Sequence, residues 1–364
     1  MRKIFYASGL FSLVSLLLVS CSQTTSTNTT SIPSSIKLSL DKTVILADGI
    51  DKALATAKDQ AGNDITSTTT FVIDGNVITG NGISFEFNQQ GTHKVFATKF
   101  GIISDTLTVT TAAPPAAKYS TKVLAEEFTA AWAGWCPRVT YKIDNYMVKY
   151  PKMFAIRIHN NDALANRSVD STLRSKFGVS AVPTVVINRS VIMQENGDIS
   201  SLTDTTDVYT YLQKRAVLGL ALNTSISGNN LNVTAKVGFD ATISDSLRLV
   251  VVAVENGLVL KQLNFYNANT FYPGNPYFSA GDTIFNFVHN GVFRRTPTSV
   301  LGTTIPVTNQ VKNGEYSTNY TIDITGLNAA NIRVVAFVVW GDGQAKTGIL
   351  NSQWVVAGQN KAYD

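Results

Sequence analysis

Val123-Leu124-Ala125-Glu126-Glu127-Phe128-Thr129-Ala130-Ala131-Trp132-Ala133-Gly134-Trp135-Cys136-Pro137, answered further along by Val182-Pro183-Thr184, is the stretch on which the fold turns. Val123 to Thr129 reads as a strand that runs into a Trp-Cys loop, and Tyr141 to Tyr150 places Ile143, Tyr146 and Met147 at helical spacing. Met153 to Ile158 reads as a second strand and Ser171 to Phe177 as a short helix. Pro183 precedes the strand Thr184 to Ile187, and Asp204 to Leu218 reads as a closing helix. Strands alternating with helices in this way imply an α/β unit over residues 119–219.

On both sides of that unit the pattern changes to alternation with period two. Ile36–Leu40, Ala53–Ala57, Thr70–Ile73, Ser84–Phe87, His93–Ala97 and Thr106–Val109 are short strand signals. Turn residues such as Ala47-Asp48-Gly49, Ala61-Gly62-Asn63-Asp64 and Asp74-Gly75-Asn76 separate them. Residues 36–111 are therefore expected to form an immunoglobulin-like β-sandwich, and the spaced Ala-Asp-Gly and Gly-Asn turns resemble bacterial Ig-like repeats. Residues 112–118, rich in Ala and Pro, read as a semi-rigid linker. Over residues 220–364 the signals Leu231–Val237, Leu247–Val254, Tyr320–Ile324 and Ile332–Trp340 imply a second β-sandwich, with long loops between Asn267 and Pro306. The expected fold class is multidomain and mainly β.

The N-terminus gives an address. Met1-Arg2-Lys3 is a basic start, and the apolar run Ile4 to Val19 is short and interrupted, as in a signal peptide over residues 1–20. Leu18-Val19-Ser20-Cys21 matches the lipobox of bacterial lipoproteins, which implies diacylglycerol and palmitate-type acyl chains on Cys21 and a lipid anchor in the cell envelope. Residues 21–35 are almost all polar and read as a flexible tether. No acidic cluster follows Cys21, so either face of the outer membrane is open to the mature protein.

Loss of Arg2 and Lys3 with the signal leaves 28 basic against 25 acidic side chains, and no Lys/Arg-rich run is present, so nucleic acid is not an expected partner. Hydrophobic residues make up 44% of the 364 and charged residues 15%, enough to build packed cores. Stability must come from those cores. Cys21 and Cys136 are the only cysteines, so acylation of Cys21 leaves one thiol and no intramolecular disulfide.

The Val123–Pro137 stretch is similar to the start of the thioredoxin-like domain in the outer-membrane-protein-28-related lipoproteins of Bacteroidota. Val182-Pro183-Thr184 resembles the loop that carries a cis-proline beside a thioredoxin active site, and His289-Asn290-Gly291 resembles a stretch common in that family. The resemblance covers roughly Val123 to the C-terminus and implies a thioredoxin-like fold for the α/β unit. Position by position, Ala133 stands where the nucleophilic cysteine would be and Cys136 where the resolving one would be. Dithiol exchange needs two sulfurs, so the resemblance implies the fold without redox turnover.

Three readings apply to Cys136: a buried small hydrophobe, a thiol that forms mixed disulfides with a partner, or a metal ligand. The last has no identifiable second ligand, since His93, His159 and His289 are the only histidines, and neither a metal nor a cofactor is expected. Trp132, Trp135, Val182 and Pro183 are candidates for a peptide groove, with packing as the plainer role of the tryptophans. His159-Asn160-Asn161-Asp162 and His289 with Arg294 and Arg295 read as polar loop residues. The functional expectation is a non-catalytic envelope lipoprotein that binds an extracytoplasmic protein or peptide. A monothiol oxidoreductase acting through Cys136 and a surface adhesin acting through the β modules are the alternatives.

Overall fold

The computed structural model describes residues 32–78, 83–194, 206–267, 275–343 and 346–364. The signal segment, Cys21 and the tether up to residue 31 lie outside the described residues. Among the described residues no helix is long and apolar enough to cross a membrane. The chain folds as a multidomain, mainly β protein, as its alternation predicts.

The N-terminal unit contains β1 (Ile36–Leu40), β2 (Val44–Leu46), β3 (Ala53–Asp59), β4 (Thr70–Ile73), β5 (Asn76–Ile78), β6 (Ile83–Phe85), β7 (Gly91–Lys99), β8 (Ile102–Ile103) and β9 (Leu107–Ala112). One sheet has the order β1-β3-β6 and the other β2-β9-β7-β4-β5, with β8 on β7. Alternate residues of each strand, such as Ala53, Ala55 and Ala57 of β3 and Val95 and Ala97 of β7, bury into one shared core. Lys346 ties this unit to the rest of the chain, donating to the Gly49 carbonyl at 2.8 Å and pairing with Glu86 at 2.9 Å.

The central unit contains β10 (Val123–Thr129), α1 (Cys136–Lys149), β11 (Met153–His159), α2 (Arg167–Phe177), β12 (Thr184–Ile187), β13 (Val191–Gln194) and a third helix, Thr206–Gln213. β10 and β11 run parallel from Val123 opposite Met153 to Thr129 opposite His159, while β12 is antiparallel to β10. All seven residues of β10 and of β11 are buried, including the charged Glu126, Glu127 and Arg157, so neither strand shows an apolar–polar alternation. Asn166 caps α2 by accepting from the Val169 amide, and Gly178 ends it in the left-handed region at φ 67°.

The C-terminal unit contains β14 (Leu218–Ser227), β15 (Asn230–Phe239), β16 (Leu247–Glu255), β17 (Leu258–Leu263), β18 (Thr283–His289), β19 (Val292–Arg295), β20 (Thr303–Ile305), β21 (Glu315–Asp323), β22 (Ile332–Trp340), β23 (Ile349–Val356) and β24 (Asn360–Lys361). β21-β15-β14-β24 forms one layer. The facing layer does not stop at the unit's edge: its order β19-β16-β22-β23 continues through β11 into β10, β12 and β13. In β22, Val334, Ala336 and Val338 face the C-terminal core, while Val335, Phe337 and Val339 face a second core shared with Phe128, Ile156, Ile158 and α2. Burial on both faces accounts for the apolar run Ile332–Trp340.

Three expectations are corrected here. The closing helix expected to reach Leu218 ends at Gln213, because Leu218 opens β14, and the boundary drawn after residue 219 falls inside that strand. The long loops expected between Asn267 and Pro306 contain β18, β19 and β20, with residues 268–274 outside the described residues. Half-exposed strands carry polar and aromatic residues on the outward face, and that mixture hid their alternation. His159 and His289 are not loop residues but the buried last residues of β11 and β18.

One ion network holds the shared sheet. Arg157 on β11 donates to Glu127 on β10 at 2.9 Å, to Asp144 on α1 at 2.6 Å and to the Asn290 carbonyl at 2.8 Å. Glu127 is fully buried and also accepts from the Thr140 hydroxyl at 2.6 Å. Replacement by an apolar side chain leaves that carboxylate uncompensated. Arg157→Leu is expected to lower the unfolding free energy by about 3–5 kcal/mol in urea titration.

Candidate functional site

The site begins where β10 ends. Ala130 to Trp135 forms a tight loop in which the Ala133 amide donates to the Ala130 carbonyl at 3.1 Å and the Cys136 amide to the Ala133 carbonyl at 3.0 Å. Cys136 is the first residue of α1 and Pro137 the second, a position that tolerates proline because its missing N–H has no helical partner. A thiol at a helix N-terminus is normally activated by the helix dipole. Here desolvation wins: Cys136 is 1% exposed, and burial pushes its thiol up to about 12, against opposing hydrogen bonds with Thr129 and Ala130.

The structure brings together Ala133, Cys136 and Val182, which pack with Ala130 in one small cluster. The Val182–Pro183 bond is cis, as the sequence pattern implies. Trp132 is exposed and donates its indole N–H to the Asn160 carbonyl at 2.9 Å. Trp135 is already occupied by the chain itself, with the rings of Phe265 and Tyr266 edge-on at 5.4 and 5.8 Å and the Arg138 guanidinium 5.2 Å from its ring centre.

That contact belongs to a cap that sequence reasoning missed. The hairpin of β17 and β18 lies across the loop, and the segment Gln262–Phe265 pairs with it. The Leu263 amide donates to the Ala131 carbonyl and the Phe265 amide to the Gly134 carbonyl, both at 2.9 Å. The Gln262 side-chain amide donates to the carbonyls of Ala130 at 3.2 Å and Ala133 at 3.0 Å. Gly134 makes this possible, since a Cβ there would stand 2.4 Å from the Phe265 ring. The alternation of Leu258 to Leu263 was the available signal for β17; nothing in it indicated what the strand would cover.

Beneath the hairpin lie further polar groups that sequence analysis assigned to loops. His159 Nδ1 is 2.8 Å from Asp162, whose carboxylate also accepts from the amides of Ala131 and Leu164. Burial raises the Asp162 pKa, but the His159 contact and the two amides outweigh it, so the group titrates below the usual carboxylate range. Among the described residues no group of three or more His, Cys, Asp and Glu side chains is placed to hold a metal ion.

Fold and site together define a β-rich, multidomain protein whose α/β unit holds one buried thiol under a cap from its own C-terminal unit. Residues 170–361 match the family model described as outer membrane protein Omp28, more than half of the chain, and the chain belongs to that family. Membership gives it a place in the bacterial outer envelope. Among solved structures, HBP35 of Porphyromonas gingivalis aligns at a TM-score of 0.53 with 20% identity over 66% of this chain and 76% of that one, a likeness of fold. The Yersinia pseudotuberculosis adhesin InvE aligns over 90% of this chain and 58% of that one, at 10% identity and a TM-score of 0.19, too low to carry an argument. No curated protein matches the sequence.

With a thiol pKa pushed up to about 12, alkylation of Cys136 in the folded protein is expected to rise about tenfold per pH unit from 7 to 10 with no plateau. An unperturbed thiol levels off near its ordinary value of 9.0. Gly134→Ala forces Phe265 off the loop and is expected to raise the alkylation rate at pH 8 by at least about tenfold, read by mass spectrometry in native buffer.

Proposed function

We propose that this protein is a lipid-anchored, non-catalytic component of the outer envelope, in which a thioredoxin-like unit has given up dithiol exchange and serves as the seat of the C-terminal unit. The observation that carries this reading is the occupied site. Ala133 supplies no sulfur, Cys136 is buried with a raised pKa, and the backbone positions of Ala131 and Gly134 are taken by Leu263 and Phe265. A catalytic thiol must be accessible and ionised. Cys136 is neither, and this counts equally against a monothiol oxidoreductase.

In this reading the Ig-like N-terminal unit is a spacer on a tether from lipidated Cys21, and the protein binds an extracytoplasmic protein or peptide. Trp132, Val182 and Pro183 are the binding candidates. Of these, Trp132 offers the most surface, at 49% exposure, whereas Pro183 is buried and Trp135 is engaged with Phe265. The lipobox and polar tether support the anchor, and the match to an outer membrane protein family supports the location.

Two measurements test the proposal. The purified chain is expected to reduce insulin disulfides no faster than buffer with dithiothreitol alone; turnover that disappears in Cys136→Ser contradicts the non-catalytic reading. Cys21→Ser is expected to move the protein from the membrane pellet to the soluble fraction of lysed cells. Retention in the pellet contradicts the lipid anchor.

A further inference from the structure

The hairpin that covers the Trp-Cys loop has an outer face and a free edge, and the reading above uses neither. A strand with one solvated face normally carries polar residues on it. β17 and β18 depart from this: Leu260 and Phe287 face inward, yet Val259, Leu263, Phe285 and Val288 face out. Val259 stands opposite Val288, at 62% and 49% exposure. The register shifts between Leu260 and Gln262, so Phe285 and Asn286 together stand opposite Lys261, a bulge that leaves Phe285 73% exposed. Beyond the end of β17, Phe265 meets Trp135 at 5.4 Å and both rings keep open surface. The open apolar surface is on the order of 500 Å², near the upper end of what a monomer leaves uncovered.

Edge and charge select the occupant. Among the described strands β18 pairs with β17 alone, so the N–H and C=O groups along its other edge have no strand partner. Acyl chains of a lipid surface supply no hydrogen bonds to such an edge. Lys261 is the one charged side chain on the outer face of the hairpin, and among the described residues no carboxylate pairs with it. A second copy laid face to face would bring another Lys261 to that face and no acid. An extended peptide with alternating apolar side chains and one carboxylate complements the edge, the face and the charge together.

We propose that the free edge of β18 takes up an extended, apolar segment of a partner protein as an added strand, with the segment's apolar side chains beside Phe285 and Val288 and an acidic side chain on Lys261. This rests on the binding role proposed above, but seats it on the hairpin rather than on the loop that carries Trp132. The bulge then has a use: it turns Phe285 out to where an added strand would lie.

The test uses the chain carrying Cys21→Ser and fluorescein-labelled eight-residue peptides in which Val or Phe alternates with Thr around one central Glu. Fluorescence anisotropy is expected to show saturable binding. Phe285→Ser, checked for native circular dichroism, is expected to weaken it at least about fivefold. N-methylation of one alternate set of peptide amides is expected to weaken it at least about tenfold and of the other set hardly at all, because only one set faces β18. Lys261→Glu is expected to reverse the preference, so that a matched peptide with a central Lys binds about threefold tighter than the Glu peptide, a gain that a misfolded variant does not give. No saturable binding, or binding unchanged in Phe285→Ser, overturns the proposal. Loss in Trp132→Ala alone also overturns it and returns the binding role to the loop. Flotation of the chain with phosphatidylcholine vesicles, or a dimer in sedimentation velocity that Phe285→Ser dissociates, assigns the face to lipid or to a second copy and equally overturns it.

Discussion

The pairing of β11 with β19 is the constraint on which the rest of the structure depends. It is short, with Arg157 opposite Val292 and the Arg157 amide donating to the Gly291 carbonyl at 2.7 Å. Through it the sheet of the α/β unit and one sheet of the C-terminal unit become a single layer. Gly291 is required at this point: its φ is 64°, and a Cβ would stand 2.7 Å from the Ala155 carbonyl oxygen. The Arg157 network with Glu127, Asp144 and Asn290 fixes the same junction from the side-chain level. Only two residues separate β18 from β19, so the hairpin starts beside this junction, and its Gln262–Phe265 continuation pairs with the loop that follows β10.

Once the hairpin is there, the chemistry of the loop changes. A helix N-terminus favours a thiolate and burial opposes it, and the raised pKa of Cys136 shows that burial is the larger effect. The loop's backbone carbonyls, which an exposed site would offer to a partner, accept instead from Leu263, Phe265 and Gln262. The loop thus carries a single sulfur, at Cys136, and keeps it covered.

Much of this was legible in the sequence, and the limits have a physical cause. The alternating strand Ile36–Leu40, which has one solvated face, and the short apolar runs Thr70–Ile73 and Ile332–Trp340 have the expected bounds. The Trp-Cys loop and Val182-Pro183 were found because their residue types are unusual in combination. What could not be read was partnership. Nothing local in Leu258–Leu263 says that its continuation will pair with Ala131 and Gly134, and nothing in His159 or His289 says that a neighbour distant in sequence will bury it. Junctions between units are set by long-range packing, and the expected boundary at residue 219 failed for that reason.

The central claim is that the segment Gln262–Phe265 seals the Ala130–Cys136 loop as a permanent part of the fold. Amide hydrogen exchange measures this at the two bonds concerned. The account predicts that the Leu263 and Phe265 amides are protected to the same extent as the buried amides of β10 and β11, and that their protection falls together in urea. Exchange of these two amides at the rate of an open loop, with β10 and β11 still protected, would contradict it.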